Sequence, residues 1–177
     1  MRDRTASFRL AAGLMLVAAV PIAPGAAAQE APAIDPCELL TGADIEEVTG
    51  EKADHAPRPR RTDYGTMQTF VCTHRTPSWT VALHIERGRT AGEVERYLKT
   101  LGAVVQRTTG APTMTPVPGL GDRAWWGPVN PTNGILHVVK GTDIVWLQTH
   151  GKGIGAGTLD KTKLLMQATL SRYAPGP

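Results

Sequence analysis

Two strand-like runs, 135–140 and 143–148, flank the dipeptide Gly141-Thr142. A two-residue loop that opens with glycine is typical of a β-hairpin, because the first loop residue needs a positive φ. The turn fixes a pairing register in which Lys140 faces Asp143 and His137 faces Trp146. The sequence therefore predicts an antiparallel sheet that contains this hairpin.

The side chains of this hairpin divide into two faces, because neighbouring residues of a strand point to opposite sides. One face is fully apolar and is predicted to be core: Leu136, Val138, Val145 and Leu147. The other face is mixed, with Ile135, His137, Val139, Ile144, Trp146 and Gln148.

Helix and strand signals alternate along the rest of the chain. Thr41 can cap a helix that ends at Gly50, and Thr90 with Glu93 forms a capping box for a helix expected to end at Gly102. Strand-like runs at 69–74 and 79–86 form a second predicted hairpin, and 159–173 is the last predicted helix. This order predicts an α+β fold, with a single antiparallel sheet of about five to six strands and two or three helices packed on one face.

The first 28 residues have the pattern of a secretory signal peptide, with three arginines, an apolar stretch and the small residues Ala26 to Ala28. The apolar stretch is about 11 residues long, whereas a membrane-spanning helix needs roughly 20. We expect a signal peptide at 1–28, a disordered leader at 29–36 and a single α+β domain at 37–174. The expected location is secreted or periplasmic, with no transmembrane segment.

The charge of the mature chain is close to neutral. The leader holds three of the 19 basic and one of the 16 acidic residues, which leaves a formal charge of about +1. Nucleic acid is therefore not an expected partner. The run Arg58-Pro59-Arg60-Arg61 is interpreted as a solvated loop rather than an anion site.

Cys37 and Cys72 are the two cysteines of the chain. In an oxidising compartment such a pair is expected to form a disulfide, and two free thiols are the alternative. Closing this loop should stabilise the domain by about 3–4 kcal/mol in the chain-entropy model. The number of cysteines excludes a Cys-rich zinc site.

The sequence contains none of the common local hydrolase motifs, and dispersed catalytic residues stay possible. Residues 151–156 match G-x-G-x-x-A, but the chain has no second parallel strand or acidic residue at the required distance beyond them. No cofactor and no metal are expected.

The mixed face of the hairpin is the candidate ligand site. If Val81, Leu83 and Ile85 join the core, alternation places His84 on the same face as His137, Trp146 and Gln148. We predict ligand binding by these four residues, with Trp146 as a stacking platform for a sugar or an aromatic metabolite. The alternative is an ordinary face covered by solvent or by the N-terminal segment, and a metal between His84 and His137 is less favoured.

Four segments carry a resemblance to a known type of domain. They are Asp35-Pro-Cys37-Glu-Leu-Leu, the strand with Cys72, Val117-Pro-Gly-Leu-Gly-Asp122-Arg-Ala-Trp125, and Leu136-His-Val-Val-Lys-Gly141 before a C-terminal helix. In this order they resemble small exported paired-cysteine α+β domains of unknown function, found among actinobacterial lipoproteins and sensor ectodomains. The resemblance implies no catalytic residues, and this chain differs in lacking a lipid-anchor cysteine at the cleavage point.

Together these features favour an exported soluble binding or accessory domain of the cell envelope, with a small molecule or an envelope component as ligand. The alternative is an envelope enzyme whose site is built from dispersed residues. The sequence identifies no protein partner.

Overall fold

The structure is a computed structural model that describes residues 34–54, 57–64, 67–87, 89–109, 114–130, 132–151 and 157–176. The predicted signal peptide lies outside these residues. The described elements, in chain order, are the helices α1 (Pro36–Leu39) and α2 (Gly42–Thr49), the strands β1 (Arg60–Tyr64), β2 (Met67–Arg75) and β3 (Trp79–Arg87), the helix α3 (Ala91–Thr109), the strands β4 (Thr115–Pro116), β5 (Arg123–Asn130), β6 (Asn133–Lys140) and β7 (Asp143–Gly151), and the helix α4 (Gly157–Arg172).

The described strands form one antiparallel sheet in the order β1-β2-β3-β7-β6-β5-β4. The predicted register of the β6–β7 hairpin is confirmed from Ile135↔Gln148 to Lys140↔Asp143, and Gly141 has the expected positive φ of 64°. The β2–β3 hairpin is also confirmed. Since β3 pairs with β7, the two predicted hairpins lie side by side at the centre of the sheet.

The main core lies on the first face of the sheet, beneath α1, α2 and α4. Its buried strand residues include Leu83 and Ile85 of β3 together with Leu136, Val138, Val145 and Leu147, as predicted. Leu165 and Met166 of α4 cover them.

Helix α2 begins and ends where the sequence predicts. The Thr41 side chain accepts a hydrogen bond from the Asp44 backbone N–H at 3.3 Å, and Gly50 adopts a left-handed conformation. Asp44 also accepts hydrogen bonds from Arg172 of α4 at 2.7 and 2.9 Å. This ion pair lowers the pKa of Asp44 to about 2 and joins α2 to α4.

The predicted disulfide between Cys37 and Cys72 is present and joins α1 to β2, with the two Cα atoms 5.2 Å apart. His74, two residues along β2, is buried beside it, and its Nε2 lies 2.7 Å from the Leu40 carbonyl oxygen. Order also begins before Cys37, because Ile34 packs against the main core and α1 starts at Pro36.

The opposite face of the sheet, called the second face below, carries α3. Val94 of α3 is buried against Val139 and Ile144, and Tyr97 and Leu98 pack on the same cluster. The prediction that all helices pack on one face was therefore wrong. The apolar residues Val139 and Ile144 on the second face require their own cover.

Two further details of the prediction were wrong. The sheet has seven described strands rather than five to six, because β1 and β4 add an edge strand at each side. Helix α3 continues through Gly102 to Thr109, since a glycine within a helix costs only about 1 kcal/mol and does not by itself end it.

Within the described residues, no helix is both long and apolar enough to cross a membrane.

Candidate ligand-binding face

One row of paired residues crosses the described sheet on its second face. From β1 to β4 its members are Arg60, Val71, His84, Trp146, His137, Trp125 and Pro116. Gln148 lies in the adjacent row, between Ala82 and Ile135. The structure therefore brings the four predicted site residues together on one face, although ligand binding itself stays a prediction.

The indole of Trp146 lies between two imidazoles. The ring centroid of His84 is 3.5 Å from that of Trp146 with an interplanar angle of 6°, and that of His137 is 5.9 Å away at 30°. The two histidines approach from opposite sides because β3 and β6 flank β7. A ligand that stacks on the indole face covered by His84 must first displace that imidazole, and a metal that bridges the two imidazoles would meet the indole between them.

Burial keeps both histidines of this stack uncharged at neutral pH. Desolvation lowers the pKa of His137 to about 4, with a smaller contribution from His84, and lowers the pKa of His84 to about 4. His137 is 3% exposed, whereas His84, Trp146 and Gln148 are half-buried. The stack therefore offers a ligand neutral rings and no positive charge.

Helix α3 covers one side of the stack. The Tyr97 ring lies 6.3 Å from that of His137, and Arg89 lies over Tyr97 at 4.9 Å while donating a hydrogen bond to Glu86 of β3 at 2.5 Å. The buried atoms His137 Nδ1 and Trp146 Nε1 have no hydrogen-bond partner within the described part of the chain. Buried polar atoms of this kind are costly to leave unpaired.

Beyond the stack, on the β1 and β2 side, the second face contains a depression of about 660 Å³. Its lining residues come from the segment before β1, from β1 and from β2: Asp54, Pro57, Arg58, Arg60, Val71, Thr73 and Arg75. The Asp54 backbone N–H donates a hydrogen bond to the Arg75 carbonyl oxygen at 2.8 Å, which holds Asp54 against the end of β2.

The sequence interpretation of the arginine run missed this depression. Arg60 lines it, whereas the next residue, Arg61, pairs with Asp63 at 3.0 Å and lies over the Phe70 ring at 5.8 Å. The sequence held no signal that relates Arg58 to Arg60, because β1 begins at Arg60. Arg75 could not be added from the sequence, because the β1–β2 pairing was not predicted.

No group of three His, Cys, Asp or Glu side chains that could hold a metal ion occurs in the described ranges. No protein-family model matches the chain, and comparisons with curated proteins and with solved structures give no significant match.

Proposed function

We propose that the chain is an exported binding domain of the cell envelope whose ligand occupies the uncovered part of the second face. This part, called the open face, consists of the half-buried side chains of Thr69, Val71, Thr73, Thr80 and Ala82 with the adjoining depression. Export is supported by the N-terminal leader pattern and is consistent with the disulfide.

One observation carries the proposal: among the described residues, α3 packs on only part of the second face. Its described apolar side chains pack on residues of β5, β6 and β7, namely Trp125, Val139, Ile144 and Trp146. The sheet continues through β3 and β2 to β1. On that part of the second face the described residues form the depression, and no described helix packs there. A concave surface with apolar and polar groups side by side is the usual setting of a small-molecule site.

The composition of the open face is typical of a surface that contacts a ligand and water rather than of one that is covered by a helix. Three of its five side chains are threonines, which present hydroxyl groups together with methyl groups. His84 and Gln148 border it, because His84 pairs with Val71 and Gln148 pairs with Ala82. Three of the residues predicted from the sequence, His84, Trp146 and Gln148, thus form one margin of the proposed site.

The test is a two-dimensional NMR titration of the mature chain with N-acetylglucosamine, indole and inorganic phosphate as separate probes. We expect at least one probe to cause saturable shifts of the Thr73, Ala82 and His84 amide signals. Thr73→Trp, which fills the depression, should remove these shifts, whereas Gln167→Trp on the exposed side of α4 should leave them unchanged. Shifts confined to the first face, or no saturable shift with any probe, would refute the proposal.

A further inference from the structure

We infer that the depression on the open face is an anion site for the doubly charged head group of a small ligand, a phosphate or a dicarboxylate. The inference rests on the proposed function and specifies the chemistry of the same site. Three arginines, Arg58, Arg60 and Arg75, line this depression.

The first support is the number of charges. Among the described residues that line the depression, one is acidic, Asp54, against three arginines. Its lining therefore has a formal excess of two positive charges, while the mature chain as a whole is close to neutral. Such an excess within a concave surface attracts an anion of about two charges and raises its local concentration.

The second support is that, among the described residues, these three arginines lack the carboxylate partners that other arginines have. Arg61, Arg89, Arg123 and Arg172 each form an ion pair with an Asp or Glu side chain. Within the described residues, no salt bridge joins Arg58, Arg60 or Arg75 to a carboxylate. Their planar guanidinium groups are therefore available to bind phosphate or carboxylate oxygens in pairs.

The third support is how the three arginines are placed. Arg60 pairs with Val71 in the sheet, Arg75 ends β2, and the hydrogen bond from the Asp54 N–H to the Arg75 carbonyl oxygen places Asp54 at the end of β2. Strand pairing thus fixes the backbone positions of two of the three arginines, Arg60 and Arg75. Val71 and Thr73 lie between them and provide an apolar and hydroxyl surface for the organic part of the ligand.

The row of paired residues that contains Arg60 explains why charge is the expected basis of selectivity. His84 and His137 in this row stay uncharged because burial lowers their pKa values, and Val71 is apolar, so Arg60 is the residue of these four that carries a formal charge. A neutral sugar would gain no electrostatic attraction here, whereas a dianion would. The inferred ligand places its anionic group among the arginines and its remaining atoms toward Ala82 and His84.

The experiment is a calorimetric and NMR titration of the mature chain at low ionic strength with inorganic phosphate, succinate and acetate. We expect saturable binding of phosphate or succinate, weaker binding of acetate, and a loss of affinity as salt is added. Binding by only one of the two dianions identifies which head group the site takes.

Arg60→Gln and Arg61→Gln form a matched pair, since both residues are exposed on β1 and both changes remove one positive charge. Arg60→Gln should weaken dianion binding roughly tenfold, because it removes a charge-assisted hydrogen bond, while Arg61→Gln should change it less than twofold. Equal losses in the two variants would show attraction by net charge alone and would overturn the inference.

The outcomes also separate this inference from the proposed function. If N-acetylglucosamine or indole shifts the Thr73 and Ala82 signals while phosphate and succinate do not, the anion site is refuted and the binding face is retained. If no probe binds the open face, both proposals fail. Dianion binding that depends on Arg60 and not on Arg61 supports both.

Discussion

Acid should destabilise this domain through its buried histidines before its carboxylates titrate. His137 has a pKa of about 4 in the folded chain and an ordinary value of 6.5 when unfolded. Between these two values the unfolded chain binds the proton and the folded chain does not. The free energy of unfolding therefore falls as the pH is lowered from 6.5 to about 4, and the stability contributed by the neutral histidine is fully present only above pH 6.5.

The size of the effect follows from the shift. A change of one pKa unit corresponds to about 1.4 kcal/mol, so the shift of His137 is worth about 3 kcal/mol. His84 acts in the same direction, but its partial exposure means that solvent screening reduces its share. The pKa of Asp44 is lowered from 3.8 to about 2, so the contribution of its pair with Arg172 is lost only at pH values below 3.8.

Urea unfolding followed by far-UV circular dichroism at a series of pH values between 6.5 and 4 measures this dependence. His137→Gln should flatten the pH dependence by about one proton, whatever its effect on stability at neutral pH. His150→Gln is the control, because His150 lies exposed on β7. His74 is buried on β2, with a pKa lowered by desolvation, and it contributes equally in both variants. A His137→Gln profile parallel to that of the parent would refute the reasoning.

Two further predictions concern the bonds that hold the domain together. Replacing Cys37 and Cys72 by serine should lower the free energy of unfolding by about 3–4 kcal/mol in urea titrations, and mass spectrometry of the parent without reductant should show a deficit of two hydrogens. Asp143→Ala should cost about 3–5 kcal/mol, because it leaves the buried charge of Arg87 without its carboxylate partner. Arg123→Gln, which removes a solvent-exposed ion pair, should cost much less in the same urea titrations, and an equal loss in both variants would contradict the role of burial.

Features fixed by neighbouring residues could be predicted from the sequence. The register of the β6–β7 hairpin follows from Gly141 and the alternation on either side of it, and the start of α3 follows from the capping box of Thr90 and Glu93, whose side chain accepts from the Thr90 N–H at 2.7 Å. Trp125 and Trp126 lie in the two separate core clusters, as adjacent residues of one strand must.

Features set by distant contacts could not be predicted. All five residues of β1 are exposed, so that strand has no apolar alternation, and β4 has only two residues. The apolar stripe of α3 shows that the helix needs a buried side, but it does not show which sheet face it covers. Val139 and Ile144 were the available signal, because apolar side chains on the second face also need a helix to cover them.

The position of the candidate site follows from how the second face changes across the sheet. On β5, β6 and β7 it presents Trp125, Val139 and Ile144, whose apolar surface is stabilised by burial beneath α3. On β2 and β1 the same face is more polar, with Thr69, Thr73 and Arg60 beside Val71, and threonine and arginine are stable in contact with water. The His84–Trp146 stack lies at the boundary and carries no charge at neutral pH.

Arg60 lies two strands from His84, a distance of about 10 Å, which is comparable to the Debye length at moderate salt. The stack therefore adds no positive charge of its own, and the arginines alone give a chain that is nearly neutral overall a local surface that favours anions.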